Sequence, residues 1–240
     1  MNPDAYRLMA DTEDRHWWFV GRRRIVVEVL RRLNLPSPAN ILEIGAGTGG
    51  NLAMLREFGY VSASELNDFA RTCAIKKSGI NVVHARLPDQ LPFPERHFDL
   101  VCLFDVLEHV GEDTAAIRAI KTLLAPNGYL VLTVPAHPWL WSAHDEELHH
   151  FRRYTKRQIA ELAKRSGFTI VRISYFNMFL FPIVAAARLA DRVLGRRHAT
   201  GSTMPPTMTN RALAWILTCE ARILRKFELP FGVSLLLVLK

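Results

Sequence analysis

Cysteine is scarce in this 240-residue chain: Cys73, Cys102 and Cys219 stand far apart, and none belongs to a CxxC pair. That excludes a disulfide framework and the common thiolate zinc sites, and it fits a reducing cytoplasm. No apolar run follows a basic start, and none is long enough to span a bilayer, so neither a secretory leader nor a transmembrane helix is expected. Compositional extremes are also missing. With 49% hydrophobic and 22% charged residues the balance is that of a globular protein, and one domain over 1–240 is expected.

What the chain does have is a net charge of +8, unevenly spread. Residues 188–226 carry eight Lys/Arg against two Asp/Glu, whereas residues 33–187 carry fifteen of each. The excess is a local patch on an appendage, so nucleic acid is not the expected partner.

The stretch that organises the rest is Ile41–Gly50, I-L-E-I-G-A-G-T-G-G. Its apolar residues suit a strand buried on both faces of a parallel sheet, and its glycines allow a sharp turn and close approach to a ligand. A helix is expected directly afterwards, its free N–H groups and dipole facing the crevice at the strand's carboxyl end. Further strands are expected at Tyr60–Ser64, Asn81–Ala85, Phe98–Phe104, Tyr129–Val134, Phe168–Tyr175 and Val233–Leu239, with a helix capped by Asn67 or Asp68 and another capped by Asp113. Strands alternating with helices at this pitch mean a doubly wound, mostly parallel α/β sheet. Glu65, about twenty positions after the glycine turn, stands where a carboxylate accepts hydrogen bonds from ribose hydroxyls; the plain alternative is a solvated acid before the next helix.

Residues 41–135 resemble the core of the class I S-adenosylmethionine-dependent methyltransferases. The likeness rests on the glycine motif with Gly45, Gly47 and Gly49 alternating, on Glu65, on the Leu91-Pro92-Phe93 loop, on Phe98-Asp99-Leu100-Val101, and on the turn at Ala125-Pro126-Asn127-Gly128. The resemblance implies a seven-stranded Rossmann-like sheet whose last strand is antiparallel, and this chain places before that strand a helical insertion much longer than a hairpin needs. The resemblance also implies S-adenosylmethionine as cofactor, with Glu43, Gly45, Ala46, Gly47 and Gly49 cradling its amino-acid part, Glu65 and neighbouring Leu66 its ribose, backbone near Leu87 its adenine, and Phe104 and Asp105 its methionine side. Where many relatives carry an Asp after the third strand, this chain has His84-Ala85-Arg86-Leu87, so the adenine contact is expected from backbone.

The expected layout is a helical cap over 1–33, a cofactor core over 41–177, an insertion over 178–229 and a last strand over 230–240. The cluster His16-Trp17-Trp18-Phe19 is too aromatic for all of it to face one core, so Trp17 and Trp18 are candidates for covering an acceptor, or for pinning an N-terminal helix. Trp141 and Tyr154 join them from the segment Pro135–Tyr154, which follows the fifth strand and is rich in titratable groups. There His144 is the candidate base, Asp145 its orienting partner and His149 the second choice. Metal ligation by these residues with His150, or a purely structural role, are the competing readings, and no metal is expected. In the insertion, Arg188, Arg192 and Arg196 recur every four residues beside an apolar run from Met178 to Val184. That pattern suits an anionic membrane surface contacted through 178–197, or a lid with a solvated basic face.

These readings converge on methyl transfer to an apolar or lipid-linked small molecule, at oxygen before nitrogen or carbon. Nucleic-acid methylation and a non-catalytic cofactor-binding module are the alternatives. Against the first, Phe104-Asp105-Val106-Leu107 is not the Asn-Pro-Pro-aromatic signature, and no Pro-Cys nucleophile stands there.

Overall fold

A computed structural model describes residues 3–193 and 203–240. The elements in chain order are α1 (Pro3–Thr12), α2 (Trp17–Leu30), β1 (Ala39–Ile44), α3 (Leu52–Leu55), β2 (Gly59–Ser64), α4 (Asp68–Ser78), β3 (Val82–Val83), β4 (Phe98–Phe104), α5 (Asp113–Leu123), β5 (Leu124–Pro135), α6 (Ala143–Glu147), α7 (Lys156–Arg165), β6 (Ile170–Phe176), α8 (Phe181–Val193), α9 (Thr207–Leu224) and β7 (Ser234–Leu239). The seven strands form one sheet in the order β3-β2-β1-β4-β5-β7-β6. Strands β1 to β5 pair in parallel, and β7 enters antiparallel between β5 and β6, as the resemblance implied.

The chain divides into two compact units. One draws, among the described residues, on Asn34–Val134, Lys156–Ile173 and Leu236–Lys240 and holds the glycine motif. The other draws, among the described residues, on Met1–Leu33, Pro135–Thr155 and Ser174–Leu235.

In the unit of the glycine motif, β1 and β4 are buried along almost their whole length, which explains why they read as unbroken apolar runs. The expected caps hold at α4, where the Asn67 side chain accepts from the Ala70 N–H and Gly79 closes the helix in the left-handed region. They fail at α5: Asp113 is already helical and Glu112 is the residue before it. The third strand shrinks to two residues. The helix after the glycine motif has only four residues, so it has no dipole worth invoking; Asn51, its cap, turns its carboxamide to Glu43 instead of capping.

The other unit is built on α2 packed against α9. Gly21 permits that approach, since a methyl group there would come within 2.6 Å of the Leu217 side chain. Polar links fix the pair along its length: Asn210 accepts from the Trp17 N–H, and Arg24 donates to the Thr218 hydroxyl. Arg188, expected on an outward basic stripe, points inward and is mostly buried, donating to Leu140 O, Ser142 Oγ and Asp145 Oδ2. Arg196 and the Arg192 side chain lie outside the described residues.

Gly59 pairs with Ala39 across β1 and β2, and a side chain there would press into the Ala39 backbone, which cannot yield. Gly59→Ala is expected to destabilise the protein by about 1–3 kcal/mol, read as a lower urea midpoint at unchanged slope.

Candidate functional site

The glycine turn leaves β1 with three left-handed residues, Gly45 at φ 75°, Gly47 at 55° and Gly49 at 94°. The sequence alternation of glycines is therefore a conformational requirement. Space adds to it, because a Cβ on Gly45 would sit 2.6 Å from Val106 Cγ2 and one on Gly49 2.9 Å from the Ala74 Cα. The turn is tied to the end of β2: the Gly45 and Ala46 N–H groups both donate to the Ser64 carbonyl, at 2.9 Å each.

Glu65 completes this link. Its Oε2 accepts from the Gly47 N–H and its Oε1 from the Asn67 N–H, both at 2.9 Å. The side chain is buried, which removes the solvated-acid alternative. Glu43 is buried on β1 and accepts from Asn51 Nδ2 at 2.7 Å. Ala46, Leu87 and Phe104 are buried, while Leu66 is half-exposed. At the end of β4, Asp105 sits at φ 56°, an uncommon conformation for a residue with a side chain, and its N–H donates to the Thr133 carbonyl.

All ten residues expected to hold the cofactor thus lie in one unit, at the tips of β1, β2 and β4 and in the loop after β3. They fit S-adenosylmethionine in kind: a carboxylate with lone pairs to spare for vicinal hydroxyls, and a glycine turn in which Gly45 and Gly47 are only partly buried. Two buried hydroxyls beside them, Thr48 Oγ1 in the turn and Ser64 Oγ at the end of β2, have no hydrogen-bond partner among the described residues. Such groups in a native fold call for a ligand or water.

The other unit carries the titratable cluster. Asp145 is fully buried in α6 and is the acceptor for five donor groups: Ser142 N–H (3.0 Å), Ser142 Oγ (3.2 Å), His150 Nδ1 (2.9 Å), Arg153 Nε (2.7 Å) and Arg188 Nη1 (3.1 Å). Burial alone would raise its pKa, but the His150 hydrogen bond and the two guanidinium groups outweigh it and hold the carboxyl far below the usual range. Arg153 also donates to the Ala136 carbonyl, tying the cluster to the residue after β5.

This arrangement adds a residue to the sequence assignment. The imidazole that Asp145 holds by a hydrogen bond is that of His150. His144 is lowered to about 4 by burial and by Arg188, with Asp145 opposing, so its ring is neutral and weakly basic at pH 7. His149 is exposed at φ 57°.

The aromatic candidates divide. Trp18 stacks on Phe176 with ring centroids 5.6 Å apart, and Trp17 meets Trp18 edge-on, so both serve the packing at the start of α2. Trp141 donates from Nε1 to Glu146 at 3.4 Å. Tyr154 is buried, its N–H donating to the Pro135 carbonyl and its own carbonyl accepting from the His137 N–H.

His137 escaped the sequence reading. It sits at φ 60°, ψ 99°, stacks on Tyr175 at 5.2 Å with 7° between the rings, and lies against Trp139 and Phe181. Its Nε2 is buried without a partner among the described residues, and burial lowers its pKa. The available signal was a histidine between Ala136 and Pro138, directly after the fifth strand.

Comparison with known proteins places these features. A family model described as a methyltransferase domain matches residues 18–173. The ubiquinone/menaquinone biosynthesis C-methyltransferase UbiE of Shewanella woodyi is 28% identical over 119 residues, 44% of this chain and 47% of that protein. The chain thus spans about half the length of that curated relative. Among solved structures, a complex between the Haloferax volcanii Trm112 methyltransferase activator and a methyltransferase matches with a TM-score of 0.64 at 18% identity, covering 98% of this chain and 92% of that one. Phosphoethanolamine N-methyltransferase 2 of Haemonchus contortus, in complex with S-adenosyl-L-methionine, matches at 0.60 with 15% identity, covering 90% and 51%.

The depressed His144 pKa sets a pH signature. Folding favours the neutral ring, so its contribution is fully present above the unfolded value of 6.5 and is lost as pH falls toward about 4. At roughly 1.4 kcal/mol per unit this amounts to no more than about 3–4 kcal/mol. Asp145, also depressed, acts only at more acidic pH. Urea unfolding between pH 7 and 4 should show this slope in the wild type and a flatter one in His144→Gln; equal slopes would remove the assignment.

Proposed function

The chain belongs to the S-adenosylmethionine-dependent methyltransferase family, and on that premise we propose that it methylates a hydroxyl oxygen of an apolar or lipid-linked small molecule. The observation that carries the choice of a hydroxyl is the Asp145–His150 pair. Nδ1 faces a buried carboxylate, which fixes the orientation of the ring, and a base acting through this pair would take its proton at Nε2. A hydroxyl becomes a competent nucleophile as its proton passes to that nitrogen.

When bound, S-adenosylmethionine supplies an electrophilic methyl group on a cationic sulfur. Glu65 would accept from the ribose hydroxyls while its hydrogen bonds to Gly47 and Asn67 keep it fixed, and the main chain of Gly45–Gly49 would meet the amino-acid end. Much of the rate gain in such a displacement comes from alignment, for which effective molarities are worth roughly 7–11 kcal/mol. The apolar character of the acceptor is supported by the exposed Trp139 and by Phe181 and Phe231 beside it.

Methylation at carbon is the second reading, supported by the similarity to a C-methyltransferase of quinone biosynthesis. The same base serves it, because a phenol must lose its proton before its ring attacks through carbon. Incubating the protein and labelled cofactor with a lipid extract separates the two: label that survives hydriodic acid cleavage supports the second, label released by it as methyl iodide, as from a methyl ether, the first.

Two outcomes test the roles. Glu65→Ala should weaken S-adenosylmethionine binding at least about tenfold by calorimetry, with a smaller loss for an analogue lacking the 2′ and 3′ hydroxyls; equal losses for both ligands would reduce Glu65 to a support of the glycine turn. His150→Asn keeps a donor toward Asp145 but loses the proton acceptor, so methyl transfer should fall about 10²–10⁴-fold at unchanged cofactor affinity. Full activity in that variant would remove His150 as the base.

A further inference from the structure

We propose that the outer face of α9 is a docking surface for an anionic lipid bilayer. The helix is roughly 27 Å long at 1.5 Å per residue. Its buried positions, Leu217, Glu220, Ala221 and Leu224, form one stripe, which lies on the side packed against α2. The opposite stripe follows from the 3.6-residue period: Met208, Arg211, Trp215 and Arg222 lie along it, with Lys226 just beyond the helix end. Met208 and Trp215 are 78% and 66% exposed, large apolar groups left in water by an otherwise well-packed helix.

Charge identifies the occupant. Between Thr203 and Phe227 the only acid is Glu220, and it is fully buried, accepting from the Phe179 N–H at 2.7 Å. Every charged side chain on the exposed face of this stretch is therefore a cation. Interleaved cations, an indole and a thioether, on a helix held to its unit by the other side, match a headgroup layer: the cations meet phosphates while the tryptophan and methionine enter the acyl boundary. Among the described residues no helix is long and apolar enough to cross a membrane, so the contact is interfacial. A second copy of the chain fits poorly, because a two-fold contact would press one face whose only charges are cations against another like it.

Flotation with phosphatidylcholine vesicles, with and without 30% phosphatidylglycerol, tests the proposal on the full chain. The wild type should bind only the anionic vesicles at low salt and come off at high salt. Arg222→Glu/Lys226→Glu should lower partitioning at least about tenfold, and Met208→Ser/Trp215→Ser should lower it as well, both with unchanged S-adenosylmethionine affinity. That affinity confirms folding, and since docking needs no methyl transfer, failure here leaves the proposed chemistry standing. The proposal is overturned by absence of binding at low salt, by equal binding of both variants, by a concentration-dependent dimer abolished by Trp215→Ser, or by retardation of RNA in place of vesicle binding.

Discussion

A carboxylate without water must find its donors in the protein, and Asp145 draws together the unit that contains it. Ser142 comes from the residue before α6, His150 and Arg153 from the segment after it, and Arg188 from α8, nearly forty residues further on. Losing one of two cations from such a group strands charge in a poor solvent, at a cost of several kcal/mol. The converse is that such a cluster adds little net stability over an apolar core of the same volume. Its return is geometric: a segment with almost no regular structure is held in one conformation, and with it the His150 ring.

The other unit solves the same problem with main chain. Glu65 is buried at a strand tip, and backbone N–H groups on both sides satisfy it. Both of those groups belong to connections that follow strands, the glycine turn and the entry to α4, so the carboxylate fixes the turn before any ligand arrives. Preorganisation of this kind reduces what binding must spend on ordering a loop. The Thr48 and Ser64 hydroxyls, unpartnered among the described residues, fit the same account, as polar groups whose desolvation a bound ligand would compensate.

How much of this was legible in the sequence depended on whether the signal was local. Strands β1, β4 and β7 could be read to within two residues because burial on both faces makes a continuous apolar run. Gly45, Gly47 and Gly49 declared themselves because left-handed φ is a property of single residues, and Glu65 because the distance from a glycine turn to the next strand tip varies little. The partner of Asp145 could not be read. His144 and His150 both lie within reach of it in sequence; the choice depends on how the chain turns between Leu148 and Phe151, where His149 takes a left-handed conformation that no glycine or proline announces. His137 was hidden for a similar reason, since its environment comes from Tyr175 and Phe181, some forty residues away.

Arg188 shows the limit of periodicity more sharply. Arginines four residues apart do share a helical face, but the period says nothing about whether that face looks outward. On α8 the decisive fact was a buried carboxylate in another segment able to accept a guanidinium, and Arg188 went to it. On α9 the phase could be assigned, because Leu217, Glu220, Ala221 and Leu224 mark the inner side and leave Met208, Trp215 and Arg222 no alternative to the outer one. A basic stripe becomes evidence for a surface only when its helix carries an independent marker of the buried face, and in this chain α9 supplies that marker while the arginine spacing on α8 does not.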